Sequence, residues 1–200
     1  LQRLCQYRLP APVLAEVRRL LRMYEGTHRY HNFTKGLEGT APQSQRFVTS
    51  FTCSDPYERD GLEMVTLEVR GQSFLFNQIR KMVGLVMIAV SSRHPPGLLE
   101  SAFRPDTRLN IPPAPPAGLL LLDIKFDKYS DKLANCDAAR QPLEWPGKAA
   151  EVEAFKGTIC NEIVAVEHER QVVCRWMYAL RRNVHKFLKL ELFPGGTAGG

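Results

Sequence analysis

The spacing of apolar residues near the start of the chain predicts an amphipathic helix over residues 12–24. Apolar side chains recur there at intervals that place them on one side of a helix, with arginine and glutamate between them. These apolar positions are Val13, Val17, Leu20, Leu21 and Tyr24. Gly26 is expected to end the helix, and residues 26–34 are expected to form a polar, turn-rich loop.

The next region has the pattern of two antiparallel strands. Residues 46–54 and 62–71 are rich in β-branched and aromatic side chains. Between them, Pro56 and the Asp60-Gly61 pair are typical turn residues. The pattern therefore predicts an antiparallel hairpin over residues 46–71.

Apolar residues then cover most of the circumference of a predicted helix over residues 73–92, so this helix should be largely buried. Ser73 is a suitable N-cap. The Pro95-Pro96 pair should end it and begin a short helix over residues 96–103. Within the long helix, we expect Gly84 to permit close packing and assign it no chemical role.

A proline-rich extended segment, residues 111–118, leads into residues 119–127, which are apolar enough to predict a central strand. Residues 148–156 and 162–182 have helical patterns. The fold class is predicted to be α+β, a mainly antiparallel sheet with helices packed on one face, plus a C-terminal helical extension. Residues 1–130 would form one subdomain, and residues 131–200 a basic helical extension with a mobile tail.

Composition narrows the class of protein. The 200 residues are 44% hydrophobic and 24% charged, which is typical of a globular chain and excludes a disordered one. No apolar run approaches the ~18–20 residues of a membrane span.

Five Cys without a CxxC pair favour free thiols in a reducing compartment. The spacing of Cys160, His168, Cys174 and His185 allows a zinc site but matches no standard finger.

The net charge of +6 is concentrated at the two ends. Residues 1–36 hold seven Lys or Arg and two Glu, whereas residues 170–190 hold six basic residues and no acidic one. Two basic clusters around a near-neutral body suit a polyanion, most simply a nucleic acid. The alternative is a pair of solvated amphipathic helices whose arginines face water.

Three motifs in order resemble one known family. They are HNFT at 31–34, VRGQSFLFNQIRKMVG at 69–84 and APPAGLLL at 114–121. Together they resemble the C-terminal half of the TruA family of tRNA pseudouridine synthases, and the eukaryotic members most of all. The resemblance runs from about residue 12 to about residue 180. It implies half of a pseudouridine synthase fold and the isomerisation of uridine to pseudouridine in tRNA, without cofactor or metal.

The resemblance also implies that part of the active site is missing from this chain. In the family an Asp in an R-T-D-x-G-type loop attacks the target nucleotide, and this sequence contains no such loop. The resemblance implies two partners, tRNA and the N-terminal half of the same protein, and leaves other RNAs open. It implies no membrane partner. The isolated fragment should be inactive. The alternative function is a non-catalytic RNA-binding or scaffold domain of the same fold. The family suggests that the protein is located in the nucleus and/or the mitochondrion.

Arg80 is the one catalytic residue that the resemblance places in this chain, and its role there is to pair with the nucleophilic Asp. A guanidinium on a mostly apolar helix is costly without a carboxylate partner, which agrees with that role. The alternatives are an arginine that reaches the surface or pairs within its own domain. Leu119 would line the uracil pocket, or else be an ordinary core leucine.

The remaining candidates are substrate contacts. His31 and Asn32 are expected either to contact RNA or to form a packed corner with Phe33. Arg29 and Lys35 are candidate phosphate contacts. Arg181 and Arg182, in the C-terminal basic cluster, would complete one side of an RNA cleft.

Overall fold

The computed structural model of the chain describes residues 6–91, 97–126 and 147–188, together with residues 129 and 143. We number its helices and strands in chain order. They are α1 (Ala11–Arg22), β1 (Gly26–Arg29), β2 (Gln45–Cys53), β3 (Tyr57–Arg59), β4 (Leu62–Met64), β5 (Leu67–Gly71), α2 (Gln78–Ser91), α3 (Leu98–Ala102), α4 (Ala149–Arg170) and α5 (Val172–Leu188). Three short 3-10 helices cover His31–Phe33, Pro42–Ser44 and Pro116–Gly118.

The main sheet has three antiparallel strands in the order β1-β2-β5. A bulge between Val48 and Ser50 shifts the alternation of β2, so that Val48, Phe51 and Cys53 all face the core. The α1 helix packs on β2, and the buried residues of α1, α2, α3 and the sheet form one hydrophobic cluster. The predicted α+β class, with helices on one face of an antiparallel sheet, is confirmed.

The predicted hairpin over residues 46–71 is confirmed in its pairing and corrected in its detail. Its two long strands pair as β2 and β5, but β3 and β4 form a separate two-stranded sheet between them. The turn of this small sheet is Asp60-Gly61, and both residues have positive φ. The prediction of a loop over residues 26–34 was wrong for residues 26–29. These residues form β1, because the edge of β2 provides backbone groups with which they pair.

The α2 helix is largely buried, as predicted, but it begins at Gln78 rather than at Ser73. The preceding residues are held in a tight non-helical turn against β2. The Gln72 N–H donates to the Phe47 carbonyl oxygen, and a Cβ at Gly71 would crowd both that oxygen and the ring of Phe74. The buried side chain of Gln78 accepts a hydrogen bond from the Leu75 N–H at 2.8 Å. These tertiary contacts outweigh the helical pattern of residues 73–77.

The central strand predicted over residues 119–127 was wrong for the residues that the structure describes. Residues 119–126 are irregular, and their apolar side chains are exposed, Leu119 by 52% and Leu121 by 75%. A central strand needs a hydrogen-bonded neighbour on each side. No strand in the described part of the chain pairs with this segment.

The C-terminal helices are longer than predicted. The α4 helix is continuous from Ala149 to Arg170, and Gln171 turns the chain into α5 with φ 52°. The α5 helix contacts α2 and adds the buried Leu180 to the core. The predicted boundary at residue 130, the stop at Pro95-Pro96 and the Gly-rich tail lie outside the described residues.

The α2 helix also lies very close to the extended segment before Pro116. A Cβ atom at Gly84 would overlap the carbonyl oxygen of Pro112. The segment is tied to the same helix by the Ala114 N–H, which donates to the Arg80 carbonyl oxygen at 2.9 Å. Gly84 therefore permits close packing, as predicted, although against an extended segment.

We expect Gly84→Ala to lower the free energy of unfolding by about 1–3 kcal/mol, because the backbone of segment 111–114 must move away. Gly157→Ala is the matched control, since Gly157 lies in α4 with open space around it. Alanine there should stabilise the helix by about 0.5–1 kcal/mol. Urea unfolding of both variants makes the measurement, and equal effects would contradict the close approach.

Candidate functional site

Arg80 lies in the first turn of α2 and is half-buried. Its Nε–H donates to the Ala114 carbonyl oxygen at 2.6 Å, and its Nη1 donates to Asn77 Oδ1 at 2.8 Å. Together with the bond from the Ala114 N–H to the Arg80 carbonyl, these contacts hold the guanidinium between the start of α2 and segment 111–114.

The charge of Arg80 has no carboxylate partner in the described part of the chain. Both of its acceptors, an amide oxygen and a backbone carbonyl, are neutral. A guanidinium carries five N–H donors, so part of the fork remains free to bind an anion. The structure therefore gives no support to pairing within the described part of its own domain.

The chain runs from Ala114 through the 3-10 helix Pro116–Gly118 into Leu119. The Leu119 N–H donates to the Pro116 carbonyl, while the Leu119 side chain is exposed. Leu119 is therefore not a core leucine of this chain. It begins an exposed apolar run, which we call the open segment (residues 119–126).

His31 and Asn32 are buried, with 3% and 4% of their surface exposed. His31 Nε2 lies 2.9 Å from the Thr107 carbonyl oxygen and therefore donates to it. The Asn32 amide donates to the carbonyls of Ala102 and Thr107, and Asn32 Oδ1 accepts from the Leu109 N–H. These bonds join the 3-10 helix at residues 31–33 to residues 102–109, and they support the packed corner. RNA contact by His31 or Asn32 stays a prediction without structural support.

The two predicted phosphate contacts of this region differ. Arg29 is half-buried, and its Nη1 donates to the Gly39 carbonyl at 2.8 Å. Lys35 is exposed and lies beside the packed corner. A third cation, Lys81, donates to the carbonyls of Asn32 and Thr34, and burial lowers its pKa.

Arg181 and Arg182 are both exposed on α5. Arg182 Nη1 donates to the Tyr178 hydroxyl at 2.9 Å, and its guanidinium lies 5.5 Å from the centre of the Tyr178 ring. Exposed arginines with an adjacent aromatic ring suit phosphates and stacked bases.

The described residues hold no cluster of three or more His, Cys, Asp or Glu side chains arranged to bind a metal. Cys160 and Cys174 are half-buried free thiols there, and the His185 side chain lies outside the described part. Among the described residues, no helix has the length and hydropathy to cross a membrane.

Two residues beside Arg80 were not singled out from the sequence. Asn77 supplies one of the two acceptors of the guanidinium, and Phe76 is 79% exposed immediately before it. A polar side chain three residues before a helical arginine is a usable signal for the first.

These features define an α+β domain with exposed arginines on its last helix, which is typical of proteins that act on nucleic acids. A sequence model of the family described as tRNA pseudouridine synthase matches residues 20–127. The chain is 38% identical over 192 residues to the pseudouridylate synthase 1 homolog of Homo sapiens, covering 96% of this chain and 44% of that protein. The chain belongs to the tRNA pseudouridine synthase family, in its TruA-type branch.

Fungal relatives agree. The chain is 40% identical over 183 residues to tRNA pseudouridine synthase 2 of Schizosaccharomyces pombe, covering 90% of this chain and 40% of that protein. It is 37% identical over 168 residues to tRNA pseudouridine synthase 1 of Yarrowia lipolytica, covering 84% of this chain and 32% of that protein. The chain thus spans less than half the length of the curated relatives that it matches.

The buried corner predicts a pH dependence of stability. Burial lowers the pKa of His31 from its ordinary value of 6.5, and Arg108 and Arg29 lower it further, against the opposing effects of the Thr107 carbonyl and Glu38. The unfolded chain therefore takes up this proton first as pH falls. The free energy of unfolding should fall as pH drops below about 6.5, towards the lower pKa of folded His31.

Chemical denaturation between pH 7.5 and 5 measures this slope. His31→Gln should remove part of it, whereas His28→Gln, in the neighbouring strand β1, should retain it. An unchanged slope in His31→Gln would contradict a neutral, buried His31.

Proposed function

We propose that this chain is one half of the catalytic unit of a tRNA pseudouridine synthase, which isomerises uridine to pseudouridine in tRNA. The single observation that carries the proposal is the state of Arg80, a half-buried guanidinium held by two neutral acceptors and offering free N–H donors. Such a group suits a carboxylate from outside the described chain. The remainder of the polypeptide would supply the nucleophilic Asp.

In this mechanism the Asp attacks the target nucleotide and the glycosidic bond from N1 breaks. The base rotates and rejoins through C5 as the Asp is released, and the proton lost from C5 is balanced by one gained at N1. Arg80 keeps the Asp ionised, because an adjacent positive charge lowers the pKa of a carboxyl group. It also aims the carboxylate, because a guanidinium binds both of its oxygens in a fixed plane. The preset orientation of Arg80 supports this assignment.

The open segment supplies an exposed apolar surface that begins five residues after Ala114, the residue that accepts from Arg80 Nε. A uridine that leaves its stack needs such a surface, since base flipping exposes the ring. Leu119, exposed at the start of this segment and five residues after the Arg80 acceptor Ala114, is our proposed contact for the uracil. The leucines that follow it suit burial against the rest of the polypeptide, because exposed apolar runs of this length mark interaction surfaces.

The basic clusters would hold the RNA backbone. Arg181 and Arg182 are exposed, and Lys35 is exposed beside the packed corner, so each is accessible to phosphates. His31 and Asn32 would act by supporting the segment from which Lys35 projects.

We expect Arg80→Met in the full-length protein to lower the single-turnover rate by about 100-fold or more, while tRNA affinity changes little. Methionine keeps the length of the side chain but removes the charge that holds the Asp. Arg80→Lys should recover only part of the rate, because an ammonium lacks the planar fork. Single-turnover assays with filter binding measure both quantities.

The 200-residue chain alone is the negative control, since we expect it to fold and to make no pseudouridine. An Arg80→Met rate within a few-fold of wild type would remove the basis of the proposal. Binding of tRNA without turnover by the full-length protein would instead favour a non-catalytic RNA-binding domain.

Binding of tRNA should depend steeply on salt. Each duplex phosphate neutralised contributes about 0.9 to the slope of log K against log salt. Arg181→Glu together with Arg182→Glu should flatten the slope measured for the full-length protein between roughly 50 and 200 mM salt. Arg104→Glu is the matched control, because Arg104 is exposed, lies outside both clusters and pairs with Asp106. Equal slopes in the double variant and the control would exclude α5 from the RNA interface.

A further inference from the structure

Asn77 has a backbone conformation that a non-glycine residue rarely adopts. Its φ is 63°, in the left-handed region, where asparagine is several-fold enriched over other non-glycine residues. Its carbonyl accepts the Lys81 N–H at 2.9 Å, so the residue lies at the junction where the tight turn becomes α2. Asn77 is therefore the last residue of the turn before α2.

The side chain of Asn77 is used in an unusual way for this position. An asparagine before a helix commonly accepts a backbone N–H of the first turn. Asn77 Oδ1 instead accepts from Nη1 of the Arg80 guanidinium at 2.8 Å. The Ala114 carbonyl accepts from Nε, so the fork is fixed at two separate points and cannot rotate about its long axis.

The chemical nature of both acceptors matters. Each is neutral, so Arg80 is oriented while its charge remains available to another group. A carboxylate at position 77 would orient the guanidinium equally well but would neutralise it. A glycine at position 77 would keep the backbone conformation and remove the acceptor.

We propose that Asn77 is a positioning residue, which holds the Arg80 guanidinium in the orientation that receives the nucleophilic carboxylate. The inference rests on the proposed function of Arg80. Asn77 acts through Arg80 and does not itself contact the substrate. Its contribution is the combination of left-handed backbone and neutral acceptor, which no other residue type supplies as readily.

The test uses two substitutions in the full-length protein, Asn77→Gly and Asn77→Asp, with kcat and KM measured on tRNA. Asn77→Gly should lower kcat between about 10- and 100-fold with KM nearly unchanged, because the arginine is retained but free to rotate. Asn77→Asp should lower kcat further, towards the level of Arg80→Met. Its acid limb in the pH–rate profile should move to higher pH, because a neutralised Arg80 no longer lowers the pKa of the nucleophile.

Asp60→Gly is the matched control, since Asp60 also has positive φ, at 47°, but lies in the turn between β3 and β4. It should leave kcat unchanged. If Asn77→Gly does not fold, as judged by its melting temperature, the nearly isosteric Asn77→Asp decides the question.

Wild-type kcat and an unmoved pH profile in the Asn77 variants, with Arg80→Met inactive, would overturn the positioning role and leave the proposed function standing. An active Arg80→Met would overturn both. A loss confined to KM would also overturn the positioning role, because it would indicate a contact with RNA.

Discussion

The close fit between α2 and the extended segment 111–114 is the contact on which the site depends. Gly84 lets the Pro112 carbonyl approach the helix, and the same approach brings Ala114 next to Arg80. Arg80 and Ala114 then exchange two hydrogen bonds, one in each direction. A larger side chain at position 84 would separate the two backbones, and the guanidinium would lose one of its two fixed points.

The same segment leads into an exposed apolar surface. After Gly118 the open segment exposes a run of leucines, although the sequence there has the hydrophobicity of a buried strand. Burying such side chains contributes about 25 cal/mol per Å² of apolar area, so leaving them in water forgoes a large stabilisation. Under the proposed function, the rest of the polypeptide would cover this surface.

Buried polar residues divide the candidate site into two parts. Around His31 and Asn32, the Asn32 amide and His31 Nε2 are satisfied within the chain and form a packed corner, although His31 Nδ1 is buried without a partner among the described residues. Around Arg80, by contrast, the positive charge is oriented but not neutralised. Buried polar groups generally find partners, and within the described residues Arg80 finds only neutral ones, which leaves its charge open to a carboxylate.

The sequence by itself determined the fold class, the pairing of β2 with β5, the buried character of α2 and the family. These depend on local periodicity and on motifs whose residues lie close together in the chain. The family resemblance also singled out Arg80, and its place among apolar helical positions agreed with that role. Local patterns could not predict β1 or the delayed start of α2.

Only the tertiary structure decided those features, because each depends on contacts between residues far apart in the chain. The β1 strand exists because β2 offers it an edge, and residues 73–77 leave the helical path because Gly71 and Gln72 pack against Phe47. His31 and Asn32 are buried because their partners come from residues 102–109. The strand predicted at residues 119–127 is absent from the described part for the converse reason. Hydrophobicity marks a segment for burial, but only a neighbouring strand can pair its backbone.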